Sequence, residues 1–414
     1  MTETGSSSPR HMIASAFVAF AAFGSFWGVW GASVPRVQQQ AGITDGELGL
    51  ALLFVGAGAL PAMLLAGRAL DRWGLRVAAL VIAALGATGV GLALSAVNLA
   101  SLPIGLAVVG AASGAADVAI NAVAGRAEKV TGRPVISWAH GIFSSLVVIG
   151  SLTTGLAAAA SLPLAVPFMG VAVLSVVAGV SMLKALPAGV AVQGHDGIGA
   201  TVSSPRARSR IVPLVLIGLL GALAFASENA HQSWSAVFAH NQLDSGMGLS
   251  AVAPAVFAGT VAITRFATSG LQATHAHVVL LAGALAAAAG AALIAAAGTL
   301  VMAALGLAVA AAGTAVLFPT LVGIVSRNVD EQHRGRATSV VTSVSYLGFL
   351  LGPVYVGLWA DVVGLRGAML AVAALGIGLL VLTPALLRFS GFGEPDRHGE
   401  AVPAGSDGRH RARM

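Results

Sequence analysis

Apolar runs of about 20 residues, set off by short polar connections, recur along the whole 414-residue chain. About 20 apolar residues is the length an α-helix needs to cross the hydrocarbon of a bilayer. Hydropathy places such runs at 12–34, 48–66, 77–97, 101–124, 135–160 and 163–186, and again at 211–238, 248–268, 277–297, 299–325, 338–360 and 365–387. Only 9% of the residues are charged, against about 25% in a soluble domain. The 53 glycines suit helices that pack in lipid through small residues. The expected fold class is an all-α membrane protein with twelve transmembrane helices in two pseudo-symmetric six-helix bundles.

The excess of basic residues, +6 in net charge, is a matter of topology and gives no reason to expect nucleic acid. Of the 22 Lys and Arg, only Arg36 and Arg366 fall on one side of the threaded membrane, and the remaining 20 fall on the other. Lys and Arg concentrate on the cytoplasmic side of membrane proteins. This predicts a multi-pass protein of the cell (inner or plasma) membrane with both termini cytoplasmic. The run Met12–Val34 reads as a retained first helix because it carries no convincing small-residue cleavage site. The expected organisation is a cytoplasmic tail over 1–11, a six-helix bundle over 12–187, a cytoplasmic middle loop over 188–210, a second bundle over 211–388 and a disordered tail over 389–414.

The two halves read as a weak repeat, the alternative being that any two Arg-flanked, Gly-rich helices look alike. Gly125–Arg133 leads into a helix with Gly150 and Gly155, and Ser326–Arg336 leads into one with Gly352 and Gly357. Weak six-plus-six similarity is the mark of a secondary transporter whose substrate site lies between the repeats.

Charges inside the hydrocarbon cost roughly 2.5–3.5 kcal/mol on insertion scales and usually face a cavity or a partner. The carboxylates well inside spans are Asp117 and Glu228, with no Lys or Arg beside them in the threading, and His140 is the further titratable group. Asp117 lies about 12 Å from its helix end and His140 about 9 Å from its own. A hydrogen-bonded pair between them would suit proton transfer. The alternative is that both merely join two helices, with Asn121 satisfying a backbone carbonyl. Glu228 lies about 26 Å along the seventh helix, with His231, Gln232 and Ser235 on the same face; that stripe reads as a cavity wall or as a solvated helix end. Trp27, Trp30, Asn229 and Tyr346 complete the set of cavity candidates. For Trp30, anchoring at the headgroups is the competing role.

The sharpest local motif is Gly67-Arg68-Ala69-Leu70-Asp71-Arg72-Trp73-Gly74-Leu75-Arg76, between the second and third spans. It resembles the signature loop of the major facilitator superfamily, and the resemblance extends over nearly the whole chain. Asp117-Val118-Ala119-Ile120-Asn121, Gly132-Arg133-Pro134, His140-Gly141, Trp234-Ser235, Arg265-Phe266 after the eighth span, and Gly348 through Pro353 are similar to the fucose-permease-like branch. The resemblance implies alternating access, with Gly67, Asp71, Arg72, Gly74 and Arg76 as a cytoplasmic latch and Asp117 as a proton-coupling carboxylate. Three positions depart from that branch: Gly31 stands where it has a second carboxylate, Ser233 precedes Trp234 in place of an acid, and Ser269 replaces the Asp of the second loop motif.

Other chemistries lack their residues. The two lysines, Lys129 and Lys184, lie in no phosphate-binding loop, so the chain does not draw on ATP directly. No H-E-x-x-H or G-x-S-x-G occurs, and there is no cysteine, so neither an enzyme nor a cofactor is expected. The expected partners are a small-molecule substrate, protons and the lipid bilayer, with the chain acting as a monomer. Within transport, two readings stay open: a polar, sugar-like solute, or efflux of a lipophilic or cationic compound. A non-transporting receptor is a third.

Overall fold

The computed structural model describes residues 9–186, 205–268 and 273–392, and the described residues contain helices and no strand. Ser269, most of the middle connection and the tail beyond residue 392 lie outside them. The helices are α1 (Pro9–Ala41), α2 (Asp45–Trp73), α3 (Val77–Ser95), α4 (Ser101–Thr131), α5 (Val135–Ala159) and α6 (Ala165–Ala185). The second set begins with α7 (Pro205–Val237), prolonged by a π-helical turn at Phe238–Gln242. A short turn at Met247–Ser250 then leads into α8 (Val252–Thr268), followed by α9 (Ala276–Ala295) and α10 (Leu300–Asn328). The last helical stretch, Glu331–Ser390, breaks at Gly364, whose φ of 74° and ψ of 170° are not helical. We treat its parts as α11 (331–363) and α12 (365–390).

Among the described residues, eleven continuous helical stretches are long and apolar enough to span a bilayer. The last, at 58 residues, would measure about 87 Å if straight, nearly three times the hydrocarbon thickness. The reversal at Gly364 makes it two spans. Most helices outrun the apolar runs expected from hydropathy: α1 continues to Ala41, α2 to Trp73 and α4 to Thr131. The helix start at Pro205 also shortens the expected middle loop. Hydropathy registers only the slab of hydrocarbon, whereas the helices run on into the interface. Ile104, Leu156, Val173, Leu285 and Val301 each expose more than half of their surface, as residues facing lipid would.

Packing repeats with a shift of six helices. In the first half α1 lies on α5, α2 on α4 and α3 on α6; in the second α7 lies on α11, α8 on α10 and α9 on α12. Glycine permits the closest of these approaches. A Cβ on Gly352 would stand 2.6 Å from the Ala226 carbonyl oxygen, and one on Gly348 would overlap that of Ala222.

We call the side carrying residues 9 and 392 the near face and the opposite side the far face. At the far face the halves are in backbone contact. A Cβ on Gly49 in α2 would lie 2.9 Å from Gly357 Cα in α11, and one on Gly155 in α5 would lie 2.5 Å from the Gly248 oxygen ahead of α8. Ser151 Oγ in α5 also donates to Ala251 O at 2.9 Å. One apolar core runs through the first half and the far part of the second, whereas Leu214, Ile217, Leu317, Val341 and their neighbours form a separate cluster toward the near face of the second half. α2 and α11 touch as far as Gly56 and Leu350; beyond that point α2 exposes Leu64, Leu65 and Trp73. The halves are thus joined at the far face, and they touch again near the other face where a Cβ on Gly141 in α5 would lie 3.1 Å from the Phe266 ring of α8; between α2 and α11 a cleft opens toward the near face.

Candidate functional site

Asp117 and Asn121 stand one turn apart on α4. Both are half-buried although they lie well inside the span, which turns them toward the cleft. Asn121 Nδ2 donates to both the Asp117 backbone oxygen, at 2.9 Å, and Asp117 Oδ1, at 3.0 Å. Across the cleft Asp117 is within electrostatic reach of Tyr346 on α11. It is not hydrogen-bonded to His140. The similar depth of those two residues along their helices does not make their side chains converge, because His140 leans on the ring of Phe20, with centroids 5.2 Å apart. Asn121 thus satisfies a backbone carbonyl of its own helix, while Asp117 and His140 do not join α4 to α5.

His140 is exposed and senses the charge of Arg265 in the opposite half. Arg265 lies inside α8, not after it, and its Nη2 donates to Glu228 Oε1 on α7 at 3.0 Å. Hydropathy reasoning missed this ion pair by counting Arg265 with the loop. The signal was present, since a long guanidinium stem near a helix end can reach inward to a buried acid. Glu228 also lies close to the midpoint of its helix, because the helical path continues to Gln242. We expect Arg265→Ala to lower stability by about 1–2 kcal/mol: an unpaired acid in the cleft is costly, and the half-exposed arginine moderates the loss. Adding Glu228→Gln should restore most of the loss, as read by melting in detergent. A double variant no more stable than Arg265→Ala alone would rule out the pair as the cause.

The polar stripe on α7 divides. Gln232 is half-buried beside Glu228, but His231 and Ser235 are buried, with no hydrogen-bond partner among the described residues for either imidazole nitrogen or the hydroxyl. His231 packs by the ring of Phe257, so these two do not line the cleft. Asn229 is buried as well and has a structural task. Pro353 in α11 has no N–H, which leaves the Phe349 carbonyl without its helical partner. Asn229 Nδ2 donates to that carbonyl, and Trp234 Nε1, one turn on, donates to the Pro353 carbonyl at 3.1 Å. Trp30 is 5% exposed within the apolar core, which excludes both a cleft and a headgroup location for it.

Two aromatic groups flank the cleft, one in each half. Trp27 is half-buried and meets Phe23 and Phe26 edge-on, and Phe23 contacts Phe143. Opposite, Phe225 packs on Phe318 at 4.3 Å between centroids and on Tyr346 at 5.8 Å. Two further recesses lie elsewhere: one of about 330 Å³ between α1, α5 and α6, and one of about 280 Å³ at the far face. Neither contains a carboxylate, so the open cleft is the candidate site.

In the loop between α2 and α3, Gly74 adopts φ +77°, a region that favours glycine. Arg76 Nε donates to the Leu186 carbonyl at the end of α6 at 3.0 Å, and Arg72 lies over the ring of Trp73. Asp71 is exposed, and Gly67 has open space where a Cβ would point.

The family model described as Major Facilitator Superfamily matches residues 15–277 and 273–411. A Yersinia pestis protein described as an uncharacterized MFS-type transporter is 29% identical over 85% of this chain and 88% of its own length. Among solved structures, a bacterial homologue of the human lysosomal transporter Spinster, in an inward-facing and unoccupied conformation, superposes with a TM-score of 0.75 at 14% identity over 95% of this chain and all of that one. A point mutant of the nucleoside transporter NupG superposes with a TM-score of 0.73 at 15% identity over 91% of this chain and 99% of its own. At these identities the two structures speak for the fold.

Proposed function

The chain belongs to the major facilitator superfamily and is a transporter, not an enzyme; from that premise we propose that it moves a small polar organic solute by alternating access, driven by protons. The observation that carries the coupling is Asp117, an acid on the cleft wall whose side chain, among the described residues, is hydrogen-bonded to the neutral Asn121 alone. An acid without a cation beside it in a membrane can bind and release a proton at little structural cost. His140 and the Glu228–Arg265 pair form a second titratable group, in which His140 and Arg265 lie nearer the mouth and Glu228 lies deeper. Trp27, Asn121, Gln232 and Tyr346 provide ring faces and hydrogen-bonding groups for a sugar-like ligand, in keeping with the likeness to the fucose-permease branch. The near face is the cytoplasmic one, by the placement of the Lys and Arg residues, so this conformation is open to the cytoplasm. The loop from Gly67 to Arg76 is a latch for the opposite conformation, and here Asp71 is disengaged. The carrier works as a monomer in the cell membrane.

A thermal-shift screen against sugars and polar metabolites, with lipophilic drugs as the second library, tests the ligand class. A ligand at 100 times its Kd should stabilise the fold by about 2.7 kcal/mol. Hits among polar solutes support the reading. Hits confined to lipophilic cations would replace it with efflux, the second reading, which the two facing aromatic groups favour.

A further inference from the structure

The far-face closure contains a charge-assisted hydrogen bond with its own chemistry. Helix α2 opens with a capping box: Thr44 Oγ1 accepts from Glu47 N at 3.2 Å, and Glu47 Oε2 accepts from Thr44 N at 2.9 Å. The first turn of a helix has amide donors that its own backbone cannot satisfy, and the box leaves Gly46 N–H free. Asp361, at the end of α11 in the other half, fills that vacancy: its Oδ1 accepts from Gly46 N at 2.8 Å. A carboxylate also suits the positive end of the α2 dipole. Residue 46 has no room for a side chain, since a Cβ there would overlap Asp361 Oδ2. One turn further, Gly49 meets Gly357 backbone to backbone.

A second link runs beside it. Asn241 Nδ2, after α7, donates to Gln38 Oε1 on α1 at 3.2 Å, and Gln38 Nε2 donates to Asp45 Oδ1 at 2.7 Å. Both links cross from one half to the other, so both must break before the far face can open.

We propose that Asp361 is the far-face latch of the transport cycle, a helix cap supplied by the opposite half that holds the near-open conformation. The inference rests on the alternating-access reading. Its removal shifts the balance toward the far-open conformation without touching the solute site. Because the chain has no cysteine, spin labels can be placed directly at Val97→Cys and Gly298→Cys, exposed far-face positions in opposite halves. Pulsed electron-electron resonance should give a short and a long distance for the wild type in lipid nanodiscs. Asp361→Ala should raise the long-distance fraction about threefold or more. Asp361→Asn, which keeps an acceptor, should raise it less, and Gly46→Ala should reproduce the effect from the partner side. Two populations in the wild type with their ratio unchanged in all three variants would overturn the latch and leave the transport reading standing. One short distance in every protein would also overturn the latch, and solute flux by the same wild type in vesicles then decides whether the transport reading falls with it.

Discussion

Proteoliposomes containing Asp117→Asn should lose proton-driven accumulation, on the order of 100-fold, while exchanging labelled for unlabelled solute within about twofold of wild type. The two assays differ in what they ask of residue 117. Accumulation needs a group that carries a proton through the conformational change; exchange needs only a cleft that binds and rocks. Asn is nearly isosteric with Asp and can still accept from Asn121 Nδ2, so the bond between the two survives in outline. Melting should therefore move little, or upward, because an uncompensated acid has been replaced by a neutral amide. Accumulation by the purified variant at the wild-type rate would remove Asp117 from the coupling mechanism. Equal loss of exchange and accumulation would make it a binding residue instead.

Gly348→Leu should be the most damaging single change for folding, costing about 3 kcal/mol or more. Even a Cβ at this position would overlap the Ala222 carbonyl oxygen on α7, and the same two helices repeat the contact one turn on at Gly352 and Ala226. Forcing them apart also pulls Asn229 and Trp234 away from the carbonyls around Pro353. The loss would combine overpacking with two polar groups left unsatisfied in a setting without water. Gly170→Ala on α6 is the matching control, since a Cβ there meets open space; it should melt within about 0.5 kcal/mol of wild type. Equal melting temperatures for the two variants would show that the α7–α11 seam does not limit stability.

The twelve spans were legible because each is an apolar run bounded by charges or turn residues, and even the break at Gly364 fell between two expected runs. Their ends were less so. Arg126 and Lys129 mark where α4 leaves the hydrocarbon, yet the helix continues through both to Thr131. Candidate site residues were marked by rarity alone, as for Asp117 and Glu228, because few acids occur within spans. Partners were not. Depth along two helices says nothing about how each is rotated, so Asp117 and His140 looked matched and are not bonded. Arg265 was discounted by its position near a helix end, although its side chain turns inward to Glu228. Asn229 and Trp234 have the composition of ligand-binding residues but serve a proline-containing turn 119 or 120 residues away. Only the register of α7 against α11 reveals that.

That service to Pro353 has a mechanical consequence. A proline in a long helix ordinarily supplies compliance, because the unmatched carbonyl weakens the rod at one level. Here the soft spot is splinted by the neighbouring helix of the same half, so α7 and α11 resist bending as one beam. Bending α11 at that level would have to break both bonds. On the alternating-access reading, this pair of helices would turn as one stiff lever, with the displacement taken up where the halves meet.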